Sequence, residues 1–181
     1  MLYIIRHGRT DWNDQRKLQG KTDVPLNDTG RKMAKEAAIR YADVHFDICF
    51  TSPLQRAVET AEILLAGRNV PIIKDDRLIE MSFGIYEGME NGFDDASLPV
   101  HELFTDPGYD KRAEGGESFG ELFRRTGEFL KDAAEPLLEK GLDVLIVGHG
   151  AMNTSIVCQR KNIPIEKFWD NNIENCRLFE I

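Results

Sequence analysis

Apolar positions fall into two patterns along the chain: short unbroken runs, and longer stretches with helical spacing. Leu2-Tyr3-Ile4-Ile5 runs straight into Arg6-His7-Gly8, and Val144-Leu145-Ile146-Val147 runs into Gly148-His149-Gly150. An unbroken apolar run closed by a turn residue predicts a strand buried on both faces. Phe46–Phe50, Val70–Lys74 and Cys176–Ile181 predict three more strands. Helical spacing begins at Thr29-Gly30 and continues through Met33, Ala34, Ala37, Ala38 and Tyr41. It returns after Ser52-Pro53, where Ser as N-cap and Pro at the first helical position predict a helix to Leu64. A long helix is expected from about Ser118 to Leu138, with Phe119, Leu122, Phe123, Thr126, Phe129, Leu130 and Ala133 on its apolar face. A last one runs from Ala151 to Lys161. Strands alternating with helices predict an α/β fold, a three-layer α/β/α sandwich with a largely parallel central sheet. Residues 91–117 break the periodicity with two prolines and several glycines. They predict a short covering insertion, about 81–117, within a single domain spanning 1–181.

Composition narrows the picture. A chain of 181 residues with 41% hydrophobic and 30% charged content can bury a full core. The net charge of −8 argues against a protein that tracks nucleic-acid phosphates. The three cysteines, Cys49, Cys158 and Cys176, are widely separated and show no metal spacing, which fits a reduced, cytoplasmic setting. No apolar stretch approaches the ~20 residues of a membrane span. The first strand begins at Leu2, so no secretory leader and no membrane partner are expected. The oligomeric state is open, a homodimer being the commonest assembly.

Charge at strand ends supplies the chemistry. Open parallel sheets bind ligands beyond their carboxyl ends, where Arg6, His7 and His149 are expected. Arg56 falls in the first turn of its helix, beside free backbone N–H groups; surface pairing with Glu59 or Glu62 is its structural alternative. Two guanidinium groups and two imidazoles describe a pocket for a dianion such as phosphate. The Arg charges disfavour imidazolium and leave a neutral ring nitrogen beside the phosphoryl group. Glu80 and Glu87, among aromatics and glycines, are both candidates for a desolvated general acid, and composition does not rank them. No metal-ligand set, no GxxxxGK phosphate loop and no serine nucleophile elbow is present. His45 and His101, in polar surroundings, are expected at the surface.

Arg6-His7-Gly8, Thr10, Asn13 and Gln19-Gly20 form one ordered set of motif residues, continued by Asp23, Pro25, Leu26 and Gly30. Ser52-Pro53-Leu54 with Arg56-Ala57 and Thr60-Ala61 is a second; Glu80, Phe83-Gly84 and Glu87-Gly88 a third. Gly115-Gly116-Glu117-Ser118 and Gly148-His149-Gly150 complete the series. Together they resemble the histidine phosphatase superfamily in its phosphoglycerate-mutase-like branch, over nearly the whole chain. The resemblance implies His7 as nucleophile, Arg6, Arg56 and His149 as ligands of the phosphoryl oxygens, and Glu80 as proton donor. It implies Asn13, Gln19, Gly20 and Thr22 as substrate-binding residues, a small phosphorylated metabolite as ligand, and no cofactor or metal. Arg9 stands where the family usually has Glu; it is expected to make the pocket mouth more cationic and to favour substrates with another acidic group. Hydrolysis of phosphomonoesters is the expected activity. Phosphoglycerate-type mutase chemistry and silent phospholigand binding are the alternatives.

Overall fold

In a computed structural model describing all 181 residues, the chain threads five strands through one sheet. Strand β1 (Leu2–Arg6) is followed by a single helical turn α1 (Asp11–Asp14) and helix α2 (Asp28–Arg40). Next come β2 (Ile48–Thr51), α3 (Gln55–Leu64) and β3 (Ile72–Lys74). After a turn-rich segment holding α4 (Glu102–Thr105), the chain forms α5 (Phe119–Phe129) and α6 (Glu135–Leu138). It ends with β4 (Val144–Gly148), α7 (Gly150–Lys161) and β5 (Leu178–Glu180). The sheet order is β3-β2-β4-β1-β5, parallel except for β5, which runs antiparallel to β1.

The central strands are apolar throughout because both faces are covered. Leu2, Ile4, Val144 and Ile146 point into a core shared with α5 and α7. Ile5, Leu145 and Val147 point oppositely, into a smaller core with Ala34 and Ala37 of α2 and Ala57 and Ala61 of α3. Successive side chains alternate between faces, so each strand serves both layers. Cys49, Cys158 and Cys176 are buried free thiols. No helix is long and apolar enough to cross a membrane.

Helix boundaries depart from the sequence pattern where tertiary partners take over capping. Asn27, not Thr29, caps α2, its side chain accepting the Gly30 N–H at 2.9 Å. Ser52 does not cap α3; it accepts the Leu54 N–H at 3.3 Å, and the helix starts at Gln55. The Gln55 N–H is satisfied from outside by the Asp23 carboxylate at 2.8 Å. The long helix expected to Leu138 is interrupted by a π-helical turn over Leu130–Ala134. Pro136 lacks the N–H that would bond back to Asp132, and the widened turn absorbs the fault. Segment 81–117 folds as short helical turns rather than a layer, and Phe83, Val100 and Leu103 bury it against the larger core.

Ile146 sits fully buried at the middle of β4 between both neighbouring strands. Ile146→Ala should lower unfolding free energy by about 2–5 kcal/mol, as buried large-to-small changes do. A loss of unfolding free energy below about 0.5 kcal/mol, read from urea titration, would contradict this picture of the core.

Candidate functional site

The parallel pairing of β1 with β4 places Arg6 opposite Gly148, so the residues that follow, His7 and His149, emerge side by side. Their ring centroids are 5.2 Å apart. Helix α3 brings Arg56 to the same place. A cavity of about 400 Å³ opens above, lined on this side by Arg6, His7, Arg56 and Glu80. His149 is not itself part of the lining; it is buried beside His7.

The backbone around His7 is tied down on three sides. Its own N–H donates to the Gly148 carbonyl at 2.9 Å, and Asn175 Nδ2 donates to its carbonyl at 2.6 Å. The Gly8 N–H donates to Thr60 Oγ1 on α3 at 3.0 Å. His7 Nδ1 lies 2.6 Å from the Gly8 carbonyl oxygen. A carbonyl can only accept, so Nδ1 carries the proton and Nε2 keeps its lone pair. Gly8 is required here: a Cβ would stand 2.5 Å from the Gly30 carbonyl oxygen.

Burial and the Arg charges keep both imidazoles neutral. His7 is held well below its ordinary value first by burial, then by Arg56 and Arg6. Burial lowers His149 likewise, with Arg56, His7 and Arg6 adding to it. Arg56 itself is pushed down to about 10 by burial, which still leaves it cationic at neutral pH. Its Nη1 donates to the Thr22 carbonyl at 2.7 Å and its Nη2 to the Gly20 carbonyl at 2.8 Å. Arg6 Nε, Arg56 Nε and both ring nitrogens of His149 are buried without a partner in the protein. Buried polar atoms in native proteins are rarely orphaned. The two guanidinium Nε–H groups and the single N–H of neutral His149 give three unpartnered donors near His7, a set suited to an oxyanion.

Glu80 has a different environment. Its carboxylate accepts the Met81 and Met152 N–H groups at 2.9 Å each and the Ala151 N–H at 3.2 Å. The N-terminus of α7 is thus spent on holding Glu80 at the cavity wall. The N-terminus of α3 is likewise not open to an anion, since Asp23 occupies it.

Asn13 and Gln19 line the cavity, both oriented by Thr10. The Thr10 N–H and hydroxyl lie 3.0 and 3.2 Å from Asn13 Oδ1, and the hydroxyl lies 2.9 Å from Gln19 Oε1. Each amide therefore keeps its NH2 group for a ligand. Gly20 lines the cavity as well. Thr22 does not; it contributes its carbonyl to Arg56 and its hydroxyl to Glu87. Arg9 corrects an expectation: it lies outside the cavity, paired with Asp14 at 2.7 Å, because α1 places that carboxylate within its reach. It leaves the mouth no more cationic. His101 is only half-exposed, its Nδ1 lying 2.9 Å from the Phe93 carbonyl, whereas His45 is exposed as expected.

Sequence reasoning missed two features. Glu87, unranked beside Glu80, is the clasp of the site: it accepts from the N–H groups of Lys21, Thr22 and Phe83 and the hydroxyls of Thr22 and Ser82. It joins the loop bearing Gly20 and Thr22 to the loop that follows Glu80, and a Cβ on Gly20 would lie 2.1 Å from its Oε1. The second is an apolar wall containing Trp12, Phe83, Phe93, Phe104 and Trp169, whose members follow no shared periodicity. The one group of His and carboxylates at metal-ligand spacing, His45, Asp47 and Asp143, lies at the opposite end of the sheet. Asp143 there already pairs with the Met1 amine at 2.7 Å.

Glu87→Ala should loosen both carbonyls that hold Arg56, weakening inorganic phosphate binding by about tenfold or more, the scale of one lost charge-assisted contact. Isothermal titration with phosphate checks it; unchanged affinity in a folded variant would refute the clasp. Stability should also fall in acid. The unfolded chain protonates His149 near 6.5, the folded chain only well below it. Below that pH the unfolded state holds more protons, so lowering pH favours unfolding. The drop in urea midpoint between about pH 7 and about pH 5 should be smaller in His149→Gln than in the native chain.

A family model described as histidine phosphatase superfamily (branch 1) matches residues 2–181. A 2,3-bisphosphoglycerate-dependent phosphoglycerate mutase of Cytophaga hutchinsonii is 35% identical over 169 residues, which cover 92% of this chain and 79% of that one. Phosphoserine phosphatase 1 of Hydrogenobacter thermophilus is 28% identical, over 96% of this chain and 82% of its own length. Among solved structures, Bacillus stearothermophilus YhfR superposes with a TM-score of 0.86 at 30% identity, covering 98% of this chain and 88% of that one. A neutral, oriented imidazole among orphaned cationic donors is the site such a family needs, and this chain belongs to the histidine phosphatase superfamily, branch 1.

Proposed function

We propose that the chain hydrolyses small phosphomonoesters without a metal, through a phosphohistidine on His7. The observation that carries this reading is the Nδ1–Gly8 hydrogen bond, which leaves Nε2 its lone pair in a site that also holds buried, unpartnered Arg donors. The cavity wall supplies one carboxylate, Glu80, within the site for proton transfer.

The reaction has two steps. The His7 Nε2 lone pair forms a bond to phosphorus while the ester P–O bond breaks. Arg6, Arg56 and His149 hold the phosphoryl oxygens and stabilise the spreading charge. Asn13 and Gln19 add amide donors. Glu80 gives its proton to the departing alcohol oxygen. In the second step Glu80 takes a proton from water as that water attacks phosphorus; the P–N bond breaks, and inorganic phosphate leaves. Ester and water have become alcohol and phosphate, with His7 and Glu80 restored. The buried free thiols fit this chemistry in the reducing cytoplasm.

The same residues would serve a mutase, and the identity to the Cytophaga hutchinsonii mutase keeps that reading alive. Retention of the phosphoryl group needs water to be excluded. Here exposed residues, Arg16 and Asn172, reach the cavity rim and leave it open to solvent.

Phosphate release from a panel of phosphomonoesters in chelator should be abolished in His7→Ala. Arg56→Ala should lower kcat/KM on the order of a hundredfold or more, as removal of an oxyanion donor does. It should also raise the His7 pKa, read by NMR titration, because Arg56 is the larger of the two charges depressing it. Interconversion of phosphoglycerates with no phosphate release would instead establish the mutase.

A further inference from the structure

We infer that the alcohol half of the substrate is aromatic or bulky and apolar, and bears no second anionic group. This rests on the phosphatase reading and concerns the far side of the same cavity. Phe104 stands at the centre of that side. Its ring centroid is 5.0 Å from Trp169 with planes inclined by 31°, 5.7 Å from Phe83 at 33°, and 6.1 Å from Phe93. Phe93, Phe104 and Trp169 are only half-buried, so ring surface faces the cavity. The one polar atom of Trp169, Nε1, donates to the Leu103 carbonyl at 2.7 Å. What remains toward the ligand is hydrocarbon. Offset aromatic faces of this kind bind a planar group by stacking as well as by burial.

The cations near the mouth already have carboxylate partners. Arg16 pairs with Asp94, donates to Asn91 Oδ1 at 3.1 Å, and lies over the Phe93 ring at 5.0 Å. Lys17 Nζ lies 3.8 Å from Glu90 Oε1. Arg9 points elsewhere, to Asp14. The free cationic donors, Arg6 and Arg56, lie at the phosphoryl end. A substrate carboxylate or second phosphate would have to draw Arg16 or Lys17, which line the cavity, away from Asp94 or Glu90, whereas the aromatic faces are open as they stand. The pairing gained that way is offset by the pairing lost, so a second anion gains little there.

The test compares esters whose leaving alcohols are all aliphatic, so that leaving-group acidity does not decide the ranking: 2-naphthylmethyl phosphate, benzyl phosphate, ethyl phosphate and 3-phosphoglycerate. The arylmethyl esters should exceed 3-phosphoglycerate in kcat/KM by about tenfold or more, mainly through KM. Phe104→Ala should erase that advantage, lowering kcat/KM for the arylmethyl esters about tenfold more than for ethyl phosphate. Asp94→Asn, which frees Arg16, should improve 3-phosphoglycerate selectively. Equal or better turnover of 3-phosphoglycerate by the native chain would overturn the inference and leave the phosphatase reading standing. If no ester is hydrolysed, that reading falls, and binding decides the subsite. In that case 2-naphthylmethylphosphonate should bind at least about tenfold tighter than methylphosphonate, and equal affinities would overturn the inference.

Discussion

The buried guanidinium of Arg56 is the constraint around which the site is built. A fully enclosed cation is tolerated only with its donors engaged. Two of its nitrogens reach the Gly20 and Thr22 carbonyls, and its Nε is left for a ligand. Those carbonyls belong to a loop with little regular structure, so something must fix the loop, and Glu87 does. The chain of dependence therefore runs from a half-buried carboxylate through peptide groups to the guanidinium and on to the field felt by His7. An acidic protein thereby keeps a locally cationic pocket.

The sheet supplies the other half of the geometry. Because β1 and β4 pair in parallel and in register, two separate His-Gly turns end at one level. Burial on both faces makes the register firm, since a slip of one residue would exchange the contents of the two cores. Imidazole placement is thus a by-product of packing Ile4, Ile5, Ile146 and Val147.

The fold and the phosphoryl end were legible in the sequence because both follow local rules. Unbroken apolar runs gave the strands, and Arg or His at their carboxyl ends gave Arg6, His7 and His149. Ordered motif matches single out Glu80, which lies in the cavity wall. What was not legible depends on partners distant along the chain. Ser52-Pro53 reads as a helix cap, yet Asp23 caps the helix two residues later. Arg9 reads as a mouth residue until α1 offers it Asp14. Glu80 and Glu87 look alike in sequence; only the backbone N–H groups facing them separate a carboxylate at the cavity from one locked between two loops. The aromatic wall draws one ring from each of several segments, so no window of sequence contains it.

The two halves of the cavity are consequently anchored at different depths. His7, Arg56 and His149 hang from the innermost strands and a packed helix, whereas Phe93, Phe104 and Trp169 sit on short turns joined through the Trp169–Leu103 hydrogen bond. Short turns open at lower free energy than core strands. On warming, the wall would therefore breathe before the phosphoryl end loosens. Chemistry and discrimination then age separately, and the enzyme grows permissive before it fails.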